Sequence, residues 1–229
     1  MRVLALDTAL GAVSLGVFDF PQGTILGHHR QDMDRGHAEE LIPAVRDLME
    51  TIEGGFPSLD RIVVTVGPGS FTGLRIAIAA ARSFGLALKI PVVGVSTLVA
   101  YAAPLISEGA RMTIASAIDA RHGAVFFQSF WMDGRRAFGP EVIPVADAVR
   151  ELRGGPATLT GTGAEAVAAE ARRQGIMTVV ADSGPCPEIA WVARLGAAAD
   201  PESAPSRPLY LRDASATPSF RGRIARLGV

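Results

Sequence analysis

The sequence predicts an α/β protein built twice: two related lobes, each a mixed sheet flanked by helices. Three observations predict it. "ALDTALGAV" at 5–13 returns as "AIDARHGAV" at 117–125, sharing A-[LI]-D-x-x-x-G-A-V half a chain apart. After each copy the hydrophobic pattern changes in the same way, from strand–turn–strand to alternating helix and strand. The composition, 48% hydrophobic and 20% charged over 229 residues, is enough to fill a substantial core in one large domain or two small ones.

Each repeat opens on an apolar strand (Val3–Leu6, Ile114–Ile118) that ends in an aspartate, Asp7 or Asp119. A short glycine-containing turn and a second strand (Val13–Phe18, Val125–Phe130) complete a hairpin. In the first half a helix over 37–53 precedes a strand at Arg61–Val66, and a helix over 71–88 leads to a strand at Val92–Val95. In the second half a helix near 145–153 precedes Thr158–Thr160, a helix over 164–174 leads to Met177–Ala181, and a last helix spans 187–198. A hairpin followed by βαβ crossovers makes a mixed sheet with helices on its faces. The Pro–Ser–Glu–Gly composition near 105–111 marks the boundary, giving lobes at 1–106 and 107–214; 215–229, without periodicity, reads as a mobile tail.

Bulk properties exclude several classes. A net charge of −1 argues against the broad basic face of a stand-alone nucleic-acid binder. The single cysteine, Cys186, cannot close an internal disulfide, which fits a reducing, cytoplasmic setting. Four core-type residues before Asp7 are too few for a secretory h-region. The uncharged run at 90–107 is broken by Pro91, Gly94, Ser96, Thr97 and Pro104, so it reads as a buried strand, loop and helix rather than a membrane span.

Two lobes that each open on strand–Asp–turn–strand resemble the actin/Hsp70/sugar-kinase (ASKHA) fold, in which those turns face ATP phosphates across a cleft. On that resemblance Asp7, Thr8 and Asp119 are candidate nucleotide contacts, with ATP or ADP and Mg²⁺ as the possible ligand. A carboxylate beside a tight turn can hold hydrated Mg²⁺. It can equally cap the turn by accepting its backbone N–H groups, and the sequence leaves both readings open.

The stretch "VGPGSFTGLRIAIAAARSFGLAL" at 66–88 looks first like a phosphate loop. A P-loop needs G-x-x-x-x-G-K-[ST], but Gly73 is followed by Leu74 and Arg75. The dinucleotide fingerprint needs glycine where Thr72 stands. Ser70 is not set in a G-x-S-x-G elbow, which argues against a serine hydrolase. The helix says more. Gly73, Ala77, Ala81 and Gly85 form a ridge of small residues, while Arg75, Arg82 and Lys89 leave one polar stripe. A helix apolar nearly all round is covered on nearly every side. Leu41, Val45, Leu48 and Met49 of the preceding helix share an apolar stripe, and Pro43 is expected to bend that helix or mark its start. Packing on their own sheet is the plainer reading of both helices. The reading carried forward is a protein interface built from Leu41, Val45, Leu48, Met49, Phe71, Leu74, Arg75, Ile78, Ala81 and Arg82, with the small ridge as docking surface. Ala81→Arg is then expected to abolish pairing with the fold intact.

"ALDTALGAVSLGV", "GHAEELIP", the 66–88 stretch, "IPVVGVSTL", "IDARHGAVF" and "PLYLRDA" together resemble the bacterial TsaB (YeaZ) family, over residues 1 to about 214. The resemblance implies a non-catalytic dimerisation subunit of the tRNA threonylcarbamoyladenosine machinery. It would support TsaD, which transfers threonylcarbamoyl to N6 of adenosine 37 in tRNAs reading ANN codons. Implied partners are TsaD in a heterodimer and the ATPase TsaE; alone, the chain would form a homodimer, and tRNA would be reached indirectly. The metal-binding H-x-x-x-H pair of TsaD falls on Thr97 and Tyr101, so no metal is expected. His28 and His29 read as surface residues and His37 as a capping or packing residue. TsaD's glycines in the second turn are replaced by Asp119-Ala-Arg121-His122, with Asp119 and Arg121 a candidate ion pair; "GTG" at 161–163 is a weak remnant of an adenosine-side loop. Arg221, Arg223 and Arg226 read as a solvated terminus. The alternative is an autonomous actin-like ATPase or kinase that uses the cleft between the lobes.

Overall fold

The computed structural model describes residues 1–153, 155–181 and 183–211; the expectations about the tail and its arginines lie outside them. The first half runs β1 (Arg2–Asp7), β2 (Ala12–Asp19), β3 (Thr24–Asp32), α1 (His37–Thr51), β4 (Arg61–Gly67), α2 (Phe71–Leu88), β5 (Val92–Ser96) and α3 (Thr97–Ser107). The second runs β6 (Thr113–Asp119), β7 (Ala124–Phe130), β8 (Arg136–Pro144), α4 (Val145–Glu151), β9 (Ala157–Thr160), α5 (Ala164–Arg173), β10 (Thr178–Val180) and α6 (Ile189–Ala198).

The two sheets have the same topology. The first is ordered β3-β2-β1-β4-β5 and the second β8-β7-β6-β9-β10. In each, three antiparallel strands are followed by two parallel ones, so β1 pairs β2 from Arg2↔Asp19 to Asp7↔Ser14 and β6 pairs β7 from Ile114↔Phe130 to Asp119↔Val125. This is the duplicated actin-like α/β fold that the repeat predicts. The third strand of each meander, β3 and β8, was not anticipated. β3 lies at the sheet edge, with exposed and half-buried residues alternating along most of its length, so it lacks the apolar run that marks β1.

Both faces of the first sheet are covered, which is why β1 reads as a continuous apolar run. Leu4, Leu6, Leu15 and Val17 pack against Leu41, Val45 and Leu48 of α1 and Leu74, Ile78 and Ala81 of α2. On the opposite face Val3, Ala5, Phe18 and Val63 meet Ile189, Val192, Ala193 and Ala197 of α6. The second sheet is covered by α4 and α5 on one face, and on the other α3 contributes Leu98, Tyr101 and Ala102 against Ile118, Ile114 and Phe130. α6 thus departs from the expected division: residues from Ile189 onward return to the first sheet instead of completing the second lobe. Beyond α6 the chain runs along β5, where the Gly94 N–H donates to Ala204 O (2.9 Å) and Val93 bridges Pro205. The Leu209 N–H then donates to Val66 O (2.7 Å), which lays this returning segment beside α2.

α1 begins at His37, so Pro43 lies inside it, on the exposed side, rather than at its start.

Candidate functional site

The turns after β1 and β6 face each other across an interlobe cavity of about 510 Å³, lined among others by Leu10, His37, Ser70, Asp119, Arg121 and Thr162. Asp7 and Thr8 lie beneath its wall, both fully buried. Asp7 Oδ1 accepts hydrogen bonds from the Ala9 N–H (2.9 Å) and from Thr65 Oγ1 (2.5 Å). Asp7 Oδ2 is buried without a partner among the described residues. Burial pushes the Asp7 carboxyl above its ordinary value, opposed by the hydrogen bonds from Thr65 and Ala9 and by the nearby His37. A carboxylate so enclosed caps its own turn through Oδ1.

The 67–73 loop explains that enclosure. The Ser70 N–H donates to Ala9 O (2.7 Å) and Thr8 Oγ1 donates to Gly73 O (2.6 Å). A Cβ on Gly69 would overlap the Ala9 carbonyl oxygen, and one on Gly73 the Thr8 carbonyl oxygen. These glycines let backbone meet backbone at the first turn. The loop thus stoppers the first turn with backbone.

The second lobe uses a similar device. Gly163 N–H donates to Ala117 O (2.9 Å), and a Cβ on Gly161 would lie 2.5 Å from that same oxygen. "GTG" therefore packs against the end of β6. Asp119 is exposed at the cavity, where its Oδ1 accepts from the Arg121 backbone N–H (2.7 Å). The expected ion pair between Asp119 and Arg121 does not form: the turn is held by backbone, with Arg121, His122 and Gly123 all left-handed. His37 Nε2 lies 3.0 Å from Leu10 O and so ties the start of α1 to the first turn. His29 is 3.6 Å from Glu40 on the outer surface, away from any second ligand.

The positions that correspond to a metal pair do not suit one. Thr97 is fully buried, and Tyr101 donates its hydroxyl to Gly184 O (3.0 Å). Burial pushes the Tyr101 phenol far above its ordinary value and Cys186, 3% exposed, up to about 12. Both are neutral at physiological pH, and among the described residues no three His, Cys, Asp or Glu side chains converge.

The ten residues expected at a protein interface divide. Leu41, Val45, Leu48, Met49, Leu74, Ile78 and Ala81 are buried in the first lobe's own core. Phe71, Arg75 and Arg82 are exposed. The small ridge also faces inward, since a Cβ on Gly85 would overlap Val92 and Ala77 and Ala81 are fully buried. The periodicity located a contact surface correctly and assigned it to the wrong partner: sheet, not protein. The opposite side of α2 carries Thr72, Arg75, Ala79, Arg82, Ser83 and Leu86, with Leu86 82% exposed. Over its 18 residues α2 has a mean hydropathy of 1.3, apolar and long enough to cross a membrane by length and composition, yet only 33% of it is buried. Its inner face packs on β4 and β1, and its outer face is mixed, with Phe71, Ala79 and Leu86 exposed among Thr72, Arg75, Arg82 and Ser83. Ile42, which periodicity places on the same apolar stripe of α1 as Leu41 and Val45, is instead 50% exposed.

The duplicated sheets, the two turns across one cavity and the glycine loops against them define a two-lobed actin-like α/β protein. A family model described as TsaD, tRNA N6-adenosine threonylcarbamoyltransferase, matches residues 25–177. The uncharacterized protein Rv3421c of Mycobacterium tuberculosis H37Rv is 37% identical over 216 residues, 94% of each chain. TsaB, the tRNA threonylcarbamoyladenosine biosynthesis protein of Escherichia coli K12, is 34% identical over 133 residues, 58% of this chain and 56% of that one. The solved YeaZ structure from Pseudomonas aeruginosa superposes with a TM-score of 0.71 at 28% identity, covering 92% of this chain and 99% of that one. The chain belongs to the TsaD family, in its TsaB (YeaZ) branch.

Proposed function

We propose that this chain serves tRNA threonylcarbamoyladenosine biosynthesis as a non-catalytic subunit, docking on a TsaD-type catalytic subunit through the outer face of α2. The names of its relatives support the pathway. The observation that carries the role is the contrast between the two surfaces that an actin-like protein offers a ligand. At the first turn, the nucleotide-side carboxylate and hydroxyl, Asp7 and Thr8, are buried and bonded within the protein. On α2, the outer face stands open and exposes Phe71 and Leu86 beside Arg75 and Arg82. Apolar area of this kind drives association, and the chain alone is expected to pair with itself. On this reading the chain works in the cytoplasm and holds no cofactor of its own. tRNA and the ATPase TsaE are reached through the catalytic subunit, which modifies N6 of adenosine 37 in tRNAs reading ANN codons.

The test is reconstitution of tRNA modification from TsaD, TsaE and threonylcarbamoyl-adenylate, with and without this chain. Modification that depends on the chain, and is restored at one copy per catalytic subunit, is the expected result. Equal rates without it would end the reading.

A second reading has its own observation, the cavity of about 510 Å³ between the turns, where Asp119, Arg121 and Thr162 remain accessible. Calorimetry of the isolated chain with Mg-ATP separates the two. Micromolar binding with turnover would favour an autonomous ATPase; the scaffold reading expects neither.

A further inference from the structure

At the N-terminal end of α2, three side chains from two distant segments form one exposed cluster. The Arg75 guanidinium lies over the Phe71 ring, 3.7 Å from its centroid. Arg75 Nε donates to the Tyr210 hydroxyl (3.2 Å), and the Tyr210 ring leans on Phe71 with centroids 5.4 Å apart. Phe71 and Tyr210 remain 47% and 48% exposed. The returning segment is itself anchored, by the Leu209 N–H on Val66 O and by Arg82 Nη2 on Ser206 O (2.5 Å). Arg75 therefore has its plane set by an aromatic face and its Nε set by a hydroxyl. Both terminal nitrogens are without a partner among the described residues. Neither Arg75, Arg82 nor Lys89 pairs with a carboxylate there.

A guanidinium held in this way matches a carboxylate through two parallel N–H bonds, with little side-chain entropy left to lose on binding. The positive end of the α2 dipole adds to the same preference. The geometry points to a carboxylate receptor made by Phe71, Arg75 and Tyr210, whose ligand is an Asp or Glu at the rim of an apolar helix face on the catalytic partner. This rests on the docking role proposed above and adds two things to it. The partner surface must be acidic where it meets the start of α2, and the returning segment at 206–210 is part of the interface. Charge complementarity selects that occupant: a helix face that sets the carboxylate-free Arg75, Arg82 and Lys89 beside exposed Phe71 and Leu86 fits a partner face that offers acidic residues beside apolar ones, and the pairing gains specificity as well as affinity.

The experiment measures affinity for the purified TsaD-family subunit of the same organism by calorimetry, using the full-length chain and three variants. Arg75→Lys keeps the charge but loses the fork, and is expected to weaken binding about tenfold. Tyr210→Phe keeps the ring but frees Arg75 Nε, and is expected to weaken it about threefold, non-additively with Arg75→Lys. Leu86→Asp, at the far end of the same face, tests docking itself and is expected to abolish binding. All three sites are exposed, and unchanged melting temperatures check the fold. If Leu86→Asp abolishes binding while Arg75→Lys and Tyr210→Phe bind like the parent, the receptor is wrong and the docking face stands. If all three bind like the parent, the docking face is wrong and the receptor falls with it.

Discussion

Gly73→Ala separates the two meanings of the 67–73 loop most sharply. Inside an exposed helix this change would stabilise by about 1 kcal/mol, because alanine is the better helix former. Here the added Cβ would overlap the Thr8 carbonyl oxygen and lie 3.1 Å from its carbon. The obstacle is backbone in the first turn of a buried strand, so no flexible side chain can move aside. Overpacking of this kind costs ~1–3 kcal/mol. Displacing α2 also breaks the Thr8 Oγ1 bond to Gly73 O, and leaving that buried hydroxyl unpaired costs ~1–3 kcal/mol more. After the propensity gain the net loss is about 3 kcal/mol, a fall in Tm of roughly 6–12 °C for a chain of this size. Thermal unfolding followed by circular dichroism reads it directly. A phosphate-cradle role for the loop predicts the opposite, stability unchanged or raised with nucleotide binding lost. A Gly73→Ala chain that melts at or above the parent temperature would refute the stopper.

Three further outcomes follow from the same geometry. Asp7 has its folded pKa raised above 3.8 by burial, so its contribution to stability is fully present below that value and is lost as pH rises through the folded pKa. Asp7→Asn keeps an oxygen for Thr65 and Ala9 but carries no charge, so its stability relative to the parent should grow as pH rises above the ordinary carboxylate range; urea midpoints that change equally with pH in both chains would contradict this. Cys186, buried with its thiol pushed up to about 12, should react with a thiol-specific reagent at neutral pH only when the chain unfolds. Labelling of the native protein at the rate of a free cysteine would place it elsewhere. Ala81→Arg sets a guanidinium into a fully buried position, so it should unfold the first lobe, costing more than ~4 kcal/mol, rather than cleanly block association. A well-folded Ala81→Arg monomer would restore the sequence-based interface.

Most of the fold was legible because it is written in local patterns. α2 was predicted over 71–88 and observed over Phe71–Leu88, since a capping serine precedes it and its apolar run ends at Leu88, where Lys89 turns left-handed. β1 and β6 were legible as apolar runs ending in aspartate. β3 and β8 were not, because edge strands bury too little to show a pattern, and Gly139-Pro140 inside β8 reads as a turn. At the site, the missing lysine after Gly73 correctly removed the P-loop reading. Periodicity could not supply direction. An apolar helix declares how much of its circumference is to be covered, not which side meets its own sheet, so Leu74, Ile78 and Ala81 were placed on the wrong face. Small residues at every fourth position permit close approach equally to a strand and to a partner helix. The Phe71–Arg75–Tyr210 cluster was out of reach, because 135 residues separate Arg75 from Tyr210 and no pattern spans them.

Both lobes close their opening turn with the same backbone device. The loop after β4 and the loop after β9 occupy equivalent places in the repeat, and each uses glycines to press backbone onto the end of the opening strand. In the first lobe the contact is closest, and the aspartate beneath it has become a buried, uncharged-leaning cap. In the second, Asp119 stays exposed and the turn beyond it is held left-handed by residues with side chains. The asymmetry is informative. The tightly stoppered turn belongs to the lobe that carries α2, and the contacts that stopper it, Ser70 to Ala9 and Thr8 to Gly73, also fix where α2 begins. A loop free to rearrange around a phosphate would let the first turn of α2, and with it Phe71 and Arg75, shift at each binding event. On the docking role proposed above, rigid closure at the turn is what a constant docking geometry requires.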